Sequence, residues 1–188
     1  KLYQFAAEQG YALAQYEQGR CYVGGLGGEK NSSLAVEYCR RAAQQGYALA
    51  QHQMGNFYHD GLGVPQDEKE AVRYYELAAA QGLKEAQHEL ARRLEQGLGA
   101  PQDIPRALEL YQLSAKQQTP AAQYRLGTIY LNGEYGQKDV AQGADLVKAA
   151  AEKGNAKAQY ALALLYRDGV GVQKNMHEAG GWLARAAK

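Results

Sequence analysis

Residues 47–82 read YALAQHQMGNFYHDGLGVPQDEKEAVRYYELAAAQG, and this stretch decides the fold. Its Ala50-Gln51 pair recurs as Ala14-Gln15, Ala86-Gln87, Ala122-Gln123 and Ala158-Gln159, each step being 36 residues. Self-similarity at a fixed period is the signature of a repeat architecture. Other columns keep the same register. Tyr22, Tyr58, Leu94, Tyr130 and Tyr166 share one position, and Gly25, Gly61, Gly97, Gly133 and Gly169 share another. Ala42-Ala43, Ala78-Ala79, Ser114-Ala115, Ala150-Ala151 and Ala186-Ala187 form a third. The repeats therefore run 11–46, 47–82, 83–118, 119–154 and 155–188, and residues 1–10 read as the tail of an earlier one. The chain opens inside a repeat and without Met, and so reads as an excised fragment or processed product.

Within each unit the pattern predicts two helices. The first spans roughly Ala12 to Val23 and sets Ala14, Gly19 and Tyr22 on one side, joined later by Met54, Leu90, Leu126 and Leu162. Gly19, Gly55 and Gly127 sit mid-helix, where glycine costs propensity, so a neighbouring backbone is expected to come close. A glycine turn such as Gly61-Leu62-Gly63 follows. Asn31, Asp67, Asp103, Asp139 and Asn175 then stand as N-caps of the second helix, with Glu70, Gln142 and Glu178 spaced as in a capping box. The second helix ends at Gly46, Gly82 and Gly154. Tyr135 replaces a turn glycine, so the fourth turn is expected to differ in shape, and Gln118 replaces a helix-ending glycine before Thr119-Pro120.

These motifs resemble the Sel-1-like repeat, a relative of the tetratricopeptide repeat. Leu126-Gly127 followed by Tyr130, the glycine turn, Ala71 with Tyr74-Tyr75, and Ala78-Ala79-Ala80-Gln81-Gly82 carry the resemblance, and Trp182 stands where the family often has Trp. It covers the whole chain. It implies an all-α fold: a right-handed superhelical α/α solenoid of about five helix-turn-helix repeats, with first helices lining a concave face. It also implies an adaptor or scaffold that binds a protein or peptide in signalling, secretion, envelope assembly or host contact. Bacterial members are often exported, and cysteine-rich relatives, which have been linked to cell-wall or β-lactam-like ligands, bridge each repeat with a disulfide.

The helical wheel names a candidate site. The arc opposite the core holds the columns of Leu13, Tyr16, Glu17, Arg20 and Gly24. Down the stack the Tyr16 column reads Tyr16, His52, His88, Tyr124 and Tyr160, with neighbouring rungs about 10 Å apart. The Arg20 column adds Arg20, Asn56 and Arg92, followed by Thr128 and Leu164. Flat rings flanked by Arg are suited to gripping an extended peptide or partner helix. The competing reading is that Tyr16, Tyr124 and Tyr160 sit at the core's edge and seal adjacent repeats.

Other chemistry finds little support. No His-x-x-x-His or Cys-x-x-Cys exists, so no metal site is expected, and no cofactor is implied. Cys21 and Cys39 lie on the two helices of one repeat, which leaves a disulfide and a pair of buried thiols both open. Neither Ser-x-x-Lys nor Gly-x-Ser-x-Gly occurs. Gly24-Gly25-Leu26-Gly27-Gly28 lacks the Gly-Lys-Ser/Thr ending of a phosphate loop. A net charge of +1 argues against a nucleic-acid platform. No run of about 18 apolar residues is present, so no membrane-inserted segment is expected. Two alternatives to groove binding remain: a structural module that self-associates through exposed repeat ends, and an enzyme acting on cell-wall ligands, for which a nucleophile, base and metal site are all missing.

Overall fold

The computed structural model describes residues 2–26 and 29–187. Among these residues the fold is purely helical. In chain order the helices are α1 (Leu2–Glu8), α2 (Ala12–Gly24), α3 (Ser32–Gln44), α4 (Ala48–Asp60), α5 (Glu68–Ala80), α6 (Lys84–Gln96), α7 (Ile104–Lys116), α8 (Pro120–Asn132), α9 (Val140–Glu152), α10 (Ala156–Asp168) and α11 (Met176–Ala186). A single 3-10 turn, Glu134–Gly136, follows α8. The chain forms two compact units, Lys1–Asp103 with α1–α6 and Ile104–Lys188 with α7–α11.

Main-chain signals bound the helices where the columns place them. The even-numbered helices α2–α10 end in a left-handed glycine: Gly25, Gly61, Gly97, Gly133 and Gly169, at φ between 67° and 73°. A residue with a Cβ pays for that conformation, and glycine does not. The odd-numbered helices start on side-chain caps. Asn31 accepts from the Leu34 N–H, Asp67 from Lys69 and Glu70, Asp139 from Gln142, and Asn175 from His177 and Glu178. The reciprocal half of the expected capping box is not made at Asp67. Its N–H donates to the Tyr58 carbonyl at 2.9 Å, while Glu70 bonds Arg73. The same main-chain bond recurs from Asn31 to Tyr22, Asp103 to Leu94, Asp139 to Tyr130 and Asn175 to Tyr166. It ties each loop to its own first helix and leaves the acidic residue free to pair along the surface.

Packing inside each unit follows from small residues and rings. A Cβ on Gly55 would lie 2.6 Å from the Tyr75 ring, and one on Gly19 would lie 2.5 Å from the Cys39 sulfur. At Gly127 the obstacles are the Gly143 carbonyl and the Val147 side chain, both 2.9 Å away. These contacts are the close approaches expected from glycines placed mid-helix. The core of the first unit gathers Val36, Cys39, Met54, Phe57 and Tyr74; that of the second gathers Val147, Leu162, Leu165 and Trp182. Tyr22 stacks on Tyr38 and Tyr58 on Tyr74, with ring centroids 5.8 and 5.7 Å apart.

The repeating Ala-Gln pair has a structural role. Gln15, Gln51 and Gln123 are almost fully buried, and each donates its side-chain amide to the carbonyl of an alanine eight residues earlier, in the preceding odd-numbered helix: Ala7, Ala43 and Ala115. Gln159 does the same to Ala151. In the first unit the glutamine oxygens also accept from Gln45 and Gln81, at 2.8 and 2.7 Å. Where the pattern breaks, the backbone keeps its course. Gln118 adopts φ +64° in place of glycine, and the Lys153 ammonium donates to both its carbonyl and side-chain oxygens. The fourth turn does differ in shape: Tyr135 sits at φ +54°, and Glu134 is gripped by Arg125 and Asn132.

Candidate functional site

The ladder positions lie on the even-numbered helices, and their surroundings differ from rung to rung. In the first unit the rings are half-buried. Tyr16 meets Tyr47 edge-on at 5.4 Å, with the exposed Arg20 guanidinium 5.8 Å from its centroid and held by Glu17. His52 leans on Tyr75 at 5.7 Å, and Asn56 accepts from the Tyr75 hydroxyl at 2.8 Å. Burial lowers the pKa of both His52 and His88, and nearby Glu89 opposes the shift without reversing it. Both imidazoles are therefore favoured in the neutral form. Arg92 pairs with Glu89 at 3.1 Å. In this unit the edge-of-core reading describes part of each ring, while one face of the column stays wet.

In the second unit Tyr124 is half-buried and Tyr160 is 55% exposed. Both line a cavity of about 550 Å³ together with Ala156, Lys157, Leu183, Ala186 and Ala187. A second cavity of similar size lies between the Tyr166 and Trp182 rings, rimmed by Lys148, Lys174, Glu152 and Glu178.

One constellation escaped the wheel. Arg93 is 1% exposed, in a column otherwise filled by Cys21, Phe57, Ile129 and Leu165. Its guanidinium lies over the Tyr75 ring at 4.6 Å, its Nη1 donates to Glu89 at 2.5 Å, and its Nε stands 3.7 Å from Glu68. His59 in turn contacts Glu68 at 2.6 Å. A buried charge is tolerated only when paired, and this arginine has brought its partners with it. Burial raises the Glu89 carboxyl, but Arg92 and Arg93 more than offset that and hold it below the usual carboxylate value. The signal was present in the sequence as one charged residue in an apolar column.

Cys21 and Cys39 are both free thiols. Cys39 is fully buried, and burial pushes its thiol up to about 12, which leaves it almost entirely protonated near neutrality. Among the described residues no group of three His, Cys, Asp or Glu is arranged to hold a metal ion, and no helix is long and apolar enough to cross a membrane.

The model of the Sel1 repeat matches residues 1–11, 12–47, 48–83, 84–118, 120–155 and 156–188. The chain belongs to the Sel1 repeat family. Among solved structures it is similar to c5321, a protective antigen present in uropathogenic Escherichia coli strains that displays an SLR fold, at 34% identity and a TM-score of 0.85 over 98% of this chain and 40% of that one. It is likewise similar to a Sel1 repeat protein from Oxalobacter formigenes, at 32% identity and a TM-score of 0.89 over 98% and 54%. The immunity protein Pa5087 of Pseudomonas aeruginosa shares the fold at 20% identity, with a TM-score of 0.64 over 93% and 64%. A search of curated proteins returns no match. The chain thus spans about half, or less, of the length of the first two solved relatives. With them it shares an all-α solenoid fold, and Sel1 repeat proteins are generally non-enzymatic scaffolds that mediate protein–protein interaction.

Proposed function

We propose that this Sel1 repeat chain is a protein-binding scaffold whose ligand surface is the wet face of the even-numbered helices, the column of Tyr16, His52, His88, Tyr124 and Tyr160 with Arg20, Asn56 and Arg92 beside it. The observation that supports this most is a difference between two faces of the same helices. The Ala, Gln and Leu columns are buried, whereas the ring column stays partly open, up to 55% exposed at Tyr160. Aromatic rings held by their neighbours contribute contact area at little entropic cost, and Arg20 and Arg92 supply charge at the rim. The partner is a protein or peptide. Nucleic acid is disfavoured by the chain's +1 net charge.

The test is a capture experiment with wild type beside an Arg20→Ala/Tyr124→Ala/Tyr160→Ala variant, both checked for fold by circular dichroism. The partner identified by mass spectrometry is then produced pure and titrated against both. Loss of binding by the variant at unchanged helicity is expected. Equal affinity for both would move the site to another surface and sink the reading.

A further inference from the structure

The cavity beside Tyr160 occupies a position that the chain itself fills elsewhere. Tyr124, Ala156, Lys157, Tyr160, Leu183, Ala186 and Ala187 stand three repeats after Tyr16, Ala48, Leu49, His52, Tyr75, Ala78 and Ala79. In the first unit that earlier set is covered by α6: Tyr75 and Ala78 are fully buried, and Arg93 of α6 lies over the Tyr75 ring. In the second unit the counterpart of Tyr75, Leu183, is 43% exposed, and Ala187 is exposed as well. Ala187 also falls in the column of Ala7, Ala43, Ala115 and Ala151, whose carbonyls each accept the glutamine amide of the helix that follows. The cavity therefore combines an apolar floor with a carbonyl position that, at four other places in this chain, takes a glutamine.

We infer that the Tyr160–Leu183 cavity is a docking seat for an amphipathic helix of a partner protein, one carrying a small residue followed by glutamine and a leucine three residues later, as in Ala86-Gln87-His88-Glu89-Leu90. This rests on the scaffold reading above and names the kind of partner its second-unit rungs take. The internal repetition supplies the shape of the occupant. A second copy of the chain does not fit the seat, because Gln15, Gln51, Gln123 and Gln159 are already bonded to their own alanine carbonyls and Gln87 is buried. The rim adds a charge preference. Lys157 is exposed beside Tyr160, and the Glu85 and Glu89 carboxylates of α6 act on His52, the counterpart of Tyr160. An acidic helix is therefore the best match.

The probe is a fluorescein-labelled peptide with the sequence of residues 83–97, titrated by fluorescence anisotropy into the protein in its full natural chain. Saturable binding is expected, weakened about tenfold or more by Leu183→Glu and also by Lys157→Glu, two changes at exposed positions that leave the fold intact by circular dichroism. A peptide carrying Gln87→Leu should bind more weakly to wild type. Absence of saturable binding at about 1 mM peptide overturns the inference, whether the seat is filled from within the natural chain or takes no helix at all. Binding that ignores both substitutions overturns it too. Sedimentation of the protein alone gives another arm: self-association abolished by Leu183→Glu would assign the seat to a second copy and overturn the partner-helix assignment. If the natural partner is lost by the ladder variant but held by Leu183→Glu, the seat is wrong and the scaffold reading stands; peptide binding at the seat with a partner indifferent to the ladder variant is the converse.

Discussion

Replacing Gln51 with Ala tests the physical meaning of the 36-residue period. The side chain is 5% exposed and links two helices: its amide donates to the Ala43 carbonyl at 3.3 Å, and its oxygen accepts from Gln81 at 2.7 Å. Each such bond contributes about 1 kcal/mol net, and a buried carbonyl left without a partner costs about 1 kcal/mol or more. Gln81 is exposed, so water replaces what it loses. The Ala43 carbonyl lies in the helix junction and has no such recourse. The sum is a loss of about 2–3 kcal/mol. In a chain of this size each kcal/mol moves Tm by about 2–4 °C, so Gln51→Ala should melt about 5–10 °C lower, with a matching fall in the urea midpoint at unchanged m-value. Gln159→Ala, at a half-buried position with one such bond, should lose about 1 kcal/mol. A Gln51→Ala variant within about 0.5 kcal/mol of wild type would refute the view that the glutamine column fastens one hairpin to the next.

Glycines in superficially similar helical positions should respond with opposite signs. Gly55→Ala gains about 1 kcal/mol of helix propensity but presses a methyl into the buried Tyr75 ring, at a cost of about 1–3 kcal/mol, and should melt lower; Gly180→Ala, with nothing within 4 Å, should melt higher. Tyr130→Ala, at a position 9% exposed, should destabilise by about 3 kcal/mol, and Tyr124→Ala clearly less; equal losses in denaturant titrations would place Tyr124 in the core and remove it from the ladder. Because burial lowers the pKa of His52 and His88 from 6.5 in the folded state, their contribution is fully present above that value and is lost as pH falls below it; Tm should be level between about pH 7 and 8 and decline below about 6.5, and a His52→Gln/His88→Gln variant should flatten that decline. Glu89, lowered in the folded state, contributes stability present above about 4.5 and lost at more acid pH, so the two windows separate in a thermal scan. A thiol reagent should label Cys21 in the native protein and reach Cys39 only on unfolding, as read by mass spectrometry of the digested chain.

The fold was legible because the sequence repeats its stop and start signals. Five left-handed glycines, the Asn and Asp caps and the mid-helix glycines all follow from rules that depend on neighbours in the chain, and each stands where its column predicts. The candidate site was legible only as a direction. A helical wheel says that Tyr16 and His52 point away from the central stripe, but it cannot show that Tyr47 and Tyr75, from other helices, close over one side of their rings. The capping box at Asp67 failed for the same reason: its N–H had a nearer acceptor in the Tyr58 carbonyl, supplied by a turn geometry that spacing does not encode.

Arg93 shows how far a column comparison reaches when every member is weighed. An arginine among Cys, Phe, Ile and Leu is either exposed by a local distortion or buried with counter-charges. Its own repeat and the one before it contain what the second outcome requires: Glu89 one helical turn earlier on α6, and Glu68 at the start of α5 with His59 behind it. The corresponding positions in the following repeat hold Arg125 and Ile104, which could not neutralise an arginine. The substitution is therefore specific to one junction, between α5 and α6. There the ion cluster makes this hairpin pair unlike the others, since a neighbour lacking Glu68 would leave Arg93 buried without that counter-charge. A repeat protein built from near-identical units faces the problem of stacking them in the right order. A charge that is tolerated at one junction and costly at the rest is a physical answer to that problem, and it also explains why a residue so expensive to bury occupies the centre of the first unit.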